Sequence, residues 1–112
     1  MRHHDNKRKF HREKKVRVAL MKSLALGLIE NGKIKTTEAK AKELRPFVEK
    51  MVTTAKKGDR RNLISKIGSL GATKLVKEIS PKYSTRTSGY TRITKLPARV
   101  SDGSLMAVIE FV

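Results

Sequence analysis

Hydrophobic positions recur along the chain in two rhythms, one helical and one extended. From about Arg12 to Glu30, Leu20, Leu24 and Leu28 return every four residues with Met21, Ala25 and Ile29 beside them. That spacing makes one apolar helical stripe. Glu13 and Arg17 stand one turn apart, where an ion pair is possible. Asn31-Gly32 predicts the stop, because both residues tolerate the left-handed conformation. Lys33-Ile34-Lys35-Thr36-Thr37 alternates Lys with β-branched residues and predicts a short strand. Thr37 is placed to cap a second helix, with Glu38 in the first turn where the helix dipole favours an acid. Leu44, Phe47, Val48, Met51, Val52 and Ala55 form its stripe, and Lys56-Lys57-Gly58 ends it. Pro46 falls inside this stripe, removes one backbone hydrogen bond and predicts a kink; the alternative is a shorter helix with Pro46 in its first turn.

Asp59 is placed to cap a third helix holding Leu63, Ile64 and Ile67, ended by Gly68. A fourth, roughly 70–79, carries Leu75, Val76 and Ile79 and is stopped by Ser80-Pro81. Residues 82–89 read as a polar basic loop, and Tyr90 to Leu96 as a strand by β-propensity. A turn around Pro97, Arg99, Ser101, Asp102 and Gly103 leads to the last strand. There Leu105, Ala107, Ile109 and Phe111 share one face, and Met106, Val108, Glu110 and Val112 the other. Apolar residues on both faces predict a central position in the sheet. The order helix, strand, three helices, two strands gives an α+β fold. The expected architecture is a two-layer α/β domain over residues 16–112, its helices on a small mixed three-stranded sheet, preceded by a basic N-terminal extension over residues 1–15.

The length of 112 residues supports one modest core. Charge changes the picture more. Lys and Arg number 27 against 10 Asp and Glu, a formal net charge of +17. Solubility of a small domain needs a magnitude of only about 2 to 8. A chain this cationic repels itself and attracts polyanions, of which nucleic acid is the first expectation and anionic lipid the rival. The first fifteen residues, MRHHDNKRKFHREKK, hold only Met1 and Phe10 as apolar groups. They bury too little to offset their ordering entropy, so they read as an arm disordered alone and ordered on a partner. From Lys56 to Arg99 there are twelve Lys or Arg and two acids, with the arginines near loops and element ends. Lys66, Lys74 and Lys77 read as merely solvating helix surfaces.

Catalytic chemistry is poorly supplied. Cys is absent, which removes disulfides and thiolate metal sites and is compatible with a reduced cytosol. No His lies beyond position 11, so no imidazole is available inside the fold for a nucleophile–base arrangement. Glu30, Glu38, Glu43, Glu49 and Glu78 read as solvated ion-pair partners on helices. His3, His4 and His11 with Asp5 are a weak metal set, better suited to phosphate or base edges. No cofactor, metal or small-molecule substrate is expected. Gly68-Ser69-Leu70-Gly71 has the spacing of an RNA-clamping loop but reads better as a helix–helix turn. Only five aromatic residues exist, too few for a stacking platform; Phe47 and Phe111 read as core, while Tyr83 and Tyr90 bracket the basic loop with room for one stacked base. No apolar run is long enough to span a membrane, and no apolar stretch of a secretory signal follows the basic N-terminus.

Six motifs occur in order: Met1-Arg2-His3, Arg8-Lys9-Phe10-x-Arg12, Ile34-Lys35-Thr36-Thr37, Ala41-Lys42-Glu43-Leu44-Arg45, Gly89-Tyr90-Thr91-Arg92-Ile93 and Met106-Ala107-Val108-Ile109-Glu110. Together they make the chain resemble the bacterial large-subunit ribosomal protein seventeen family, essentially end to end. The resemblance implies a non-enzymatic structural component of the large ribosomal subunit, cytoplasmic and on the ribosome. It implies binding to large-subunit rRNA near the polypeptide exit, with neighbouring large-subunit ribosomal proteins as partners and no membrane. Carried over by position, the rRNA-binding candidates are Arg2, His3, Arg8, Lys9, Arg12, Arg17, Lys35, Thr36, Lys42, Arg45, Arg60, Arg61, Arg86, Tyr90 and Arg92. The chain departs from the family pattern at Val16-Arg17, Ser88-Gly89, Ser101-Asp102-Gly103 and the arm segment His4-Asp5-Asn6. The main alternative is a DNA-architectural or regulatory binder outside the ribosome, for which no recognition helix or apolar wedge is evident. A ribonuclease would have to rely on Lys and Glu, and a membrane-surface protein would need a thicker apolar side on the arm.

Overall fold

The structure, a computed structural model, describes residues 13–112. The expectations for the arm before Glu13, including the candidates Arg2, His3, Arg8, Lys9 and Arg12, lie outside the described residues. Helix α1 spans Lys14–Asn31, so it already contains Lys14 and Lys15 of the segment assigned to the arm. Its stripe narrows to Ala25, Leu28 and Ile29 as fully buried positions, with Leu24 and Leu26 packed at the margin. Gly32 closes it in the left-handed conformation at φ 79°, its N–H donating to the Leu28 carbonyl at 2.8 Å. Glu13 and Arg17 are joined through the backbone, not by the expected ion pair.

Strand β1 (Lys33–Thr37) leads directly into α2 (Glu38–Lys56). The Thr37 hydroxyl accepts from the Lys40 N–H at 3.4 Å, as its cap position predicts. Helix α2 runs through Pro46, which is exposed, so the shorter-helix alternative is not adopted. Its stripe of Leu44, Val48, Met51, Val52 and Ala55 is buried throughout. Each of the larger side chains in it contributes about 1.5–3 kcal/mol. Phe47, expected in the core, is only half-buried against it, as is Phe111.

Helix α3 spans Arg60–Lys74, with the Asp59 carboxylate accepting from the Asn62 N–H at 3.3 Å. This span holds the two helices expected on either side of Gly68, which takes the non-helical φ 86° and ψ 171° and ends the first of them. Residues with side chains essentially never occupy that region. Gly71 has a different reason: a Cβ there would stand 2.8 Å from Leu26 Cδ2, because α1 crosses closely at this point. Ile64, expected in the core, is exposed. The α and π winding stops at Ser80-Pro81, as expected, and only a 3₁₀ turn follows. The chain widens to a π turn over Leu75–Ile79 and then tightens to a 3₁₀ turn over Ser80–Tyr83. Pro81 sits in the first turn of that segment, where its missing N–H costs nothing.

Strands β2 (Thr91–Leu96) and β3 (Met106–Phe111) complete a three-stranded sheet in the order β1-β3-β2. The last strand is central, as its two apolar faces predict. The sheet is antiparallel throughout, which corrects the expectation of a mixed one. A short turn joins β2 to β3, and such a connection permits only antiparallel pairing. The register sets Ile34, Ile109 and Ile93 in one row facing the helices. Leu105, expected within the last strand, precedes it and is exposed. Helix α2 lies across the inner face and joins the sheet to α1 and α3, giving the α+β, two-layer arrangement.

Candidate nucleic-acid interface

Pairing register decides which strand cations reach solvent. The outer sheet face carries Lys33, Glu110 and Arg92 in one row and Lys35, Val108 and Thr94 in the next. Lys33, Lys35, Thr94 and Arg92 are exposed, while Val108 and Glu110 are half-buried. Arg92 donates from Nε and Nη2 to one Glu110 oxygen at 3.1 and 2.9 Å. This directly opposed pair fixes the guanidinium and leaves further N–H groups for a phosphate. Lys33 and Lys35 have no carboxylate partner among the described residues. The same alternation places Thr36 on the inner face, 9% exposed, so this candidate supports the core and does not reach a ligand.

The 84–90 loop is held from the helical layer. Glu49 Oε2 accepts from the Gly89 N–H at 3.3 Å, and Oε1 accepts from the Thr91 N–H and hydroxyl at 3.2 and 3.1 Å. Further along α2, Lys56 Nζ donates to the Arg86 carbonyl and, at 3.2 Å, to the Tyr90 hydroxyl. Its ammonium stands 5.2 Å from the Tyr90 ring centroid. The Tyr90 hydroxyl donates to the Thr87 carbonyl at 3.0 Å, and Arg86 Nη1 to the Gly89 carbonyl at 2.9 Å. Tyr83 packs on Tyr90 with ring centroids 5.4 Å apart and donates to the Val112 carbonyl at 2.7 Å. Burial pushes the Tyr83 phenol up from its ordinary pKa.

Tyr90 is 1% exposed, so it cannot offer a face to a base, and Tyr83 is buried beside it. The stacked base anticipated at these rings is therefore not accommodated; both rings brace the loop from beneath. Glu49 and Lys56 are the residues that sequence reasoning missed. Glu49 read as a surface ion-pair partner, and its Arg45 contact at 3.9 Å is the weaker of its engagements. Only the approach of residues forty positions apart reveals the clamp.

The remaining candidates divide by what already occupies them. Lys42 pairs with Glu38 at 2.8 Å, and Lys95 reaches the same carboxylate at 3.7 Å. Chiefly the Lys42 hydrogen bond holds Glu38 below its ordinary pKa. Arg60 Nη2 donates to the Thr73 hydroxyl at 2.8 Å, and Arg61 is exposed beside it with no partner among the described residues. Arg17 is half-buried, and its Nε is buried without a hydrogen-bond partner. Arg45 and Arg86 are exposed. Two open grooves flank α2. One, about 390 Å³, lies by Thr37, Lys42 and Leu105; the other, about 380 Å³, lies between α2, α3 and the 84–90 loop. Among the described residues, no group of three or more His, Cys, Asp or Glu is placed to hold a metal. The His3, His4 and His11 set lies outside them. No helix of the described residues is long and apolar enough to cross a membrane.

Residues 20–112 match the family described as ribosomal protein L17. The chain belongs to the ribosomal protein L17 family. The match begins inside α1 and takes in every later element. The L17 relatives extend it to the whole chain, basic N-terminal segment included. The large ribosomal subunit protein bL17 of Persephonella marina is 52% identical, with all of this chain and 95% of the relative covered. That of a Hydrogenobaculum species is 50% identical over all of this chain and 99% of its own. That of Helicobacter acinonychis is 47% identical, with both chains covered completely. The L17 family is one of structural ribosomal proteins and not of enzymes.

Proposed function

We propose that this chain is a structural constituent of the large ribosomal subunit that binds and stabilises large-subunit rRNA near the polypeptide exit. The arm and the Arg-bearing loops neutralise phosphates, and the 16–112 domain holds them in register. Neighbouring large-subunit proteins are its other partners. The observation that carries the RNA reading is the imbalance of charge on an L17-family chain. Carboxylates are present for Lys42, Arg45, Arg92, Lys95 and Arg99. Lys33, Lys35, Lys50, Arg61 and Lys66 have none among the described residues. These charges need an external polyanion, and rRNA supplies one in the setting that the relatives' names give them. The position near the exit comes from the motif resemblance.

Counterion release then supplies much of the affinity. Purified protein and large-subunit rRNA transcribed in vitro test this directly. With 6–10 phosphate contacts, affinity falls by about 10³- to 10⁵-fold between 50 and 200 mM salt. A loss of less than about tenfold over that range contradicts phosphate-dominated binding.

A further inference from the structure

We propose that the groove between α2, α3 and the 84–90 loop seats a single ribonucleotide of the RNA partner, its phosphate on Lys50 and Lys66 and its 2′-hydroxyl on the Thr54 hydroxyl. This rests on the RNA-binding reading above and names a site outside the arginine candidates. The groove belongs to the helical layer, away from the outer face of the sheet. Lys50, Thr53 and Thr54 form one wall, Lys66 another, and Thr87 and Ser88 the loop side. Its volume is about 380 Å³ and it is open to solvent, so a chain can pass across it.

Charge selects an anion. Lys50 and Lys66 are exposed and unpaired among the described residues. The one acid on the lining is Glu49, and its two oxygens already accept three hydrogen bonds from Gly89 and Thr91. Its charge is directed into the loop backbone.

The hydroxyls select what accompanies the anion. Thr53 donates its own proton to the Glu49 carbonyl at 3.1 Å, and Thr54 donates to the Lys50 carbonyl at 2.9 Å. The Thr53 hydroxyl also engages the Tyr90 phenol, so the Thr54 oxygen is the acceptor left on the lining. A phosphate diester has no proton to give it. A ribose 2′-hydroxyl does, and it is the group that distinguishes RNA from DNA at a given position. A ribose–phosphate unit thus satisfies the lysines and Thr54 together, whereas bare phosphate leaves Thr54 without a donor and a deoxynucleotide could supply one only from its base. The clamp from Glu49 and Lys56 fixes the loop wall in advance, so binding spends little on ordering it.

The test uses the full chain, in vitro transcribed large-subunit rRNA and a reagent that acylates accessible 2′-hydroxyls. Wild-type protein suppresses acylation at a set of nucleotides. Thr54→Val, which keeps side-chain shape but removes the acceptor, and Lys66→Gln restore reactivity at the same one or two of them. Each lowers affinity about 3- to 10-fold, the loss expected of one hydrogen bond or phosphate contact. Thr54→Ser retains the protection, and thermal unfolding of Thr54→Val and Lys66→Gln stays near wild type. Protection unchanged in Thr54→Val and Lys66→Gln overturns the groove while leaving RNA binding intact, and so does a loss spread over all protected nucleotides. Absence of any protection by wild-type protein that still binds the rRNA overturns the groove, while the RNA reading itself stands or falls on the salt titration.

Discussion

Glu49 shows how one side chain sets the position of a surface loop. Its carboxylate is 20% exposed and satisfies two backbone N–H groups at the entry to β2 that have no other acceptor among the described residues. Hydrogen bonds to a charged group contribute about 1.5–3 kcal/mol each, and part of that returns as water replaces the missing carboxylate. Glu49→Ala is expected to lower unfolding free energy by about 2 kcal/mol in a urea titration. A change below about 0.5 kcal/mol means the clamp is dispensable. Gly71 offers a second case. Gly71→Ala puts a methyl group 2.8 Å from Leu26 Cδ2 and 3.1 Å from Ile67 Cδ1, the ends of two flexible side chains, and gains about 0.8–1 kcal/mol of helix propensity. The two offset, so Gly71→Ala is expected to melt near wild type, and a loss above about 2 kcal/mol would show that Leu26 and Ile67 cannot move aside.

Secondary elements were readable where periodicity and caps agree. Helix α2 is the clearest instance: Thr37, Glu38, the four-residue stripe and the terminal lysines all point to one span. The central place of β3 followed from apolar residues on both of its faces. The short turn encodes the antiparallel pairing of β2 with β3, but local pattern does not encode the direction of β1 against β3, which left a mixed sheet and an antiparallel one equivalent on paper. Nor does it encode the π turn after Lys74 or the 3₁₀ turn that follows the Ser80-Pro81 stop, where Leu75, Ile79 and Tyr83 pack into the core. The candidate residues followed the same division. Exposed cations were readable as such, but Thr36 and Tyr90 face inward because of register and ring packing.

The start of α2 also carries a pH dependence. Glu38 is held below its ordinary pKa first by the Lys42 hydrogen bond and further by Lys95, which ties α2 to β2. The folded state therefore binds fewer protons than the unfolded state across the window between the two values. The stability it contributes is complete above the unfolded value and is lost as pH falls below about 4.3. Glu38→Gln is expected to melt lower than wild type at pH 7 and to converge with it toward pH 3. Parallel melting curves across that range exclude the linkage.

Taken whole, the molecule is a small core surrounded by cations that its own carboxylates do not balance. The five Lys and Arg of residues 1–12 add to this without adding apolar surface for the core beyond Met1 and Phe10. Removing residues 1–12 is expected to leave cooperative unfolding of the domain intact. The logarithmic salt slope of rRNA binding should shrink by about 4, since each phosphate no longer neutralised subtracts about 0.9. An unchanged slope would mean that the arm touches no phosphates.

The central claim is that this chain exists chiefly as a piece of the large subunit, its charge completed by rRNA. Sedimentation of gently lysed cells through a sucrose gradient at low salt, with the chain followed by antibody, tests it most directly. The protein is expected in the large-subunit, ribosome and polysome fractions, and is expected to leave them as salt is raised. A chain found entirely in the free fractions at the top of the low-salt gradient would contradict the account.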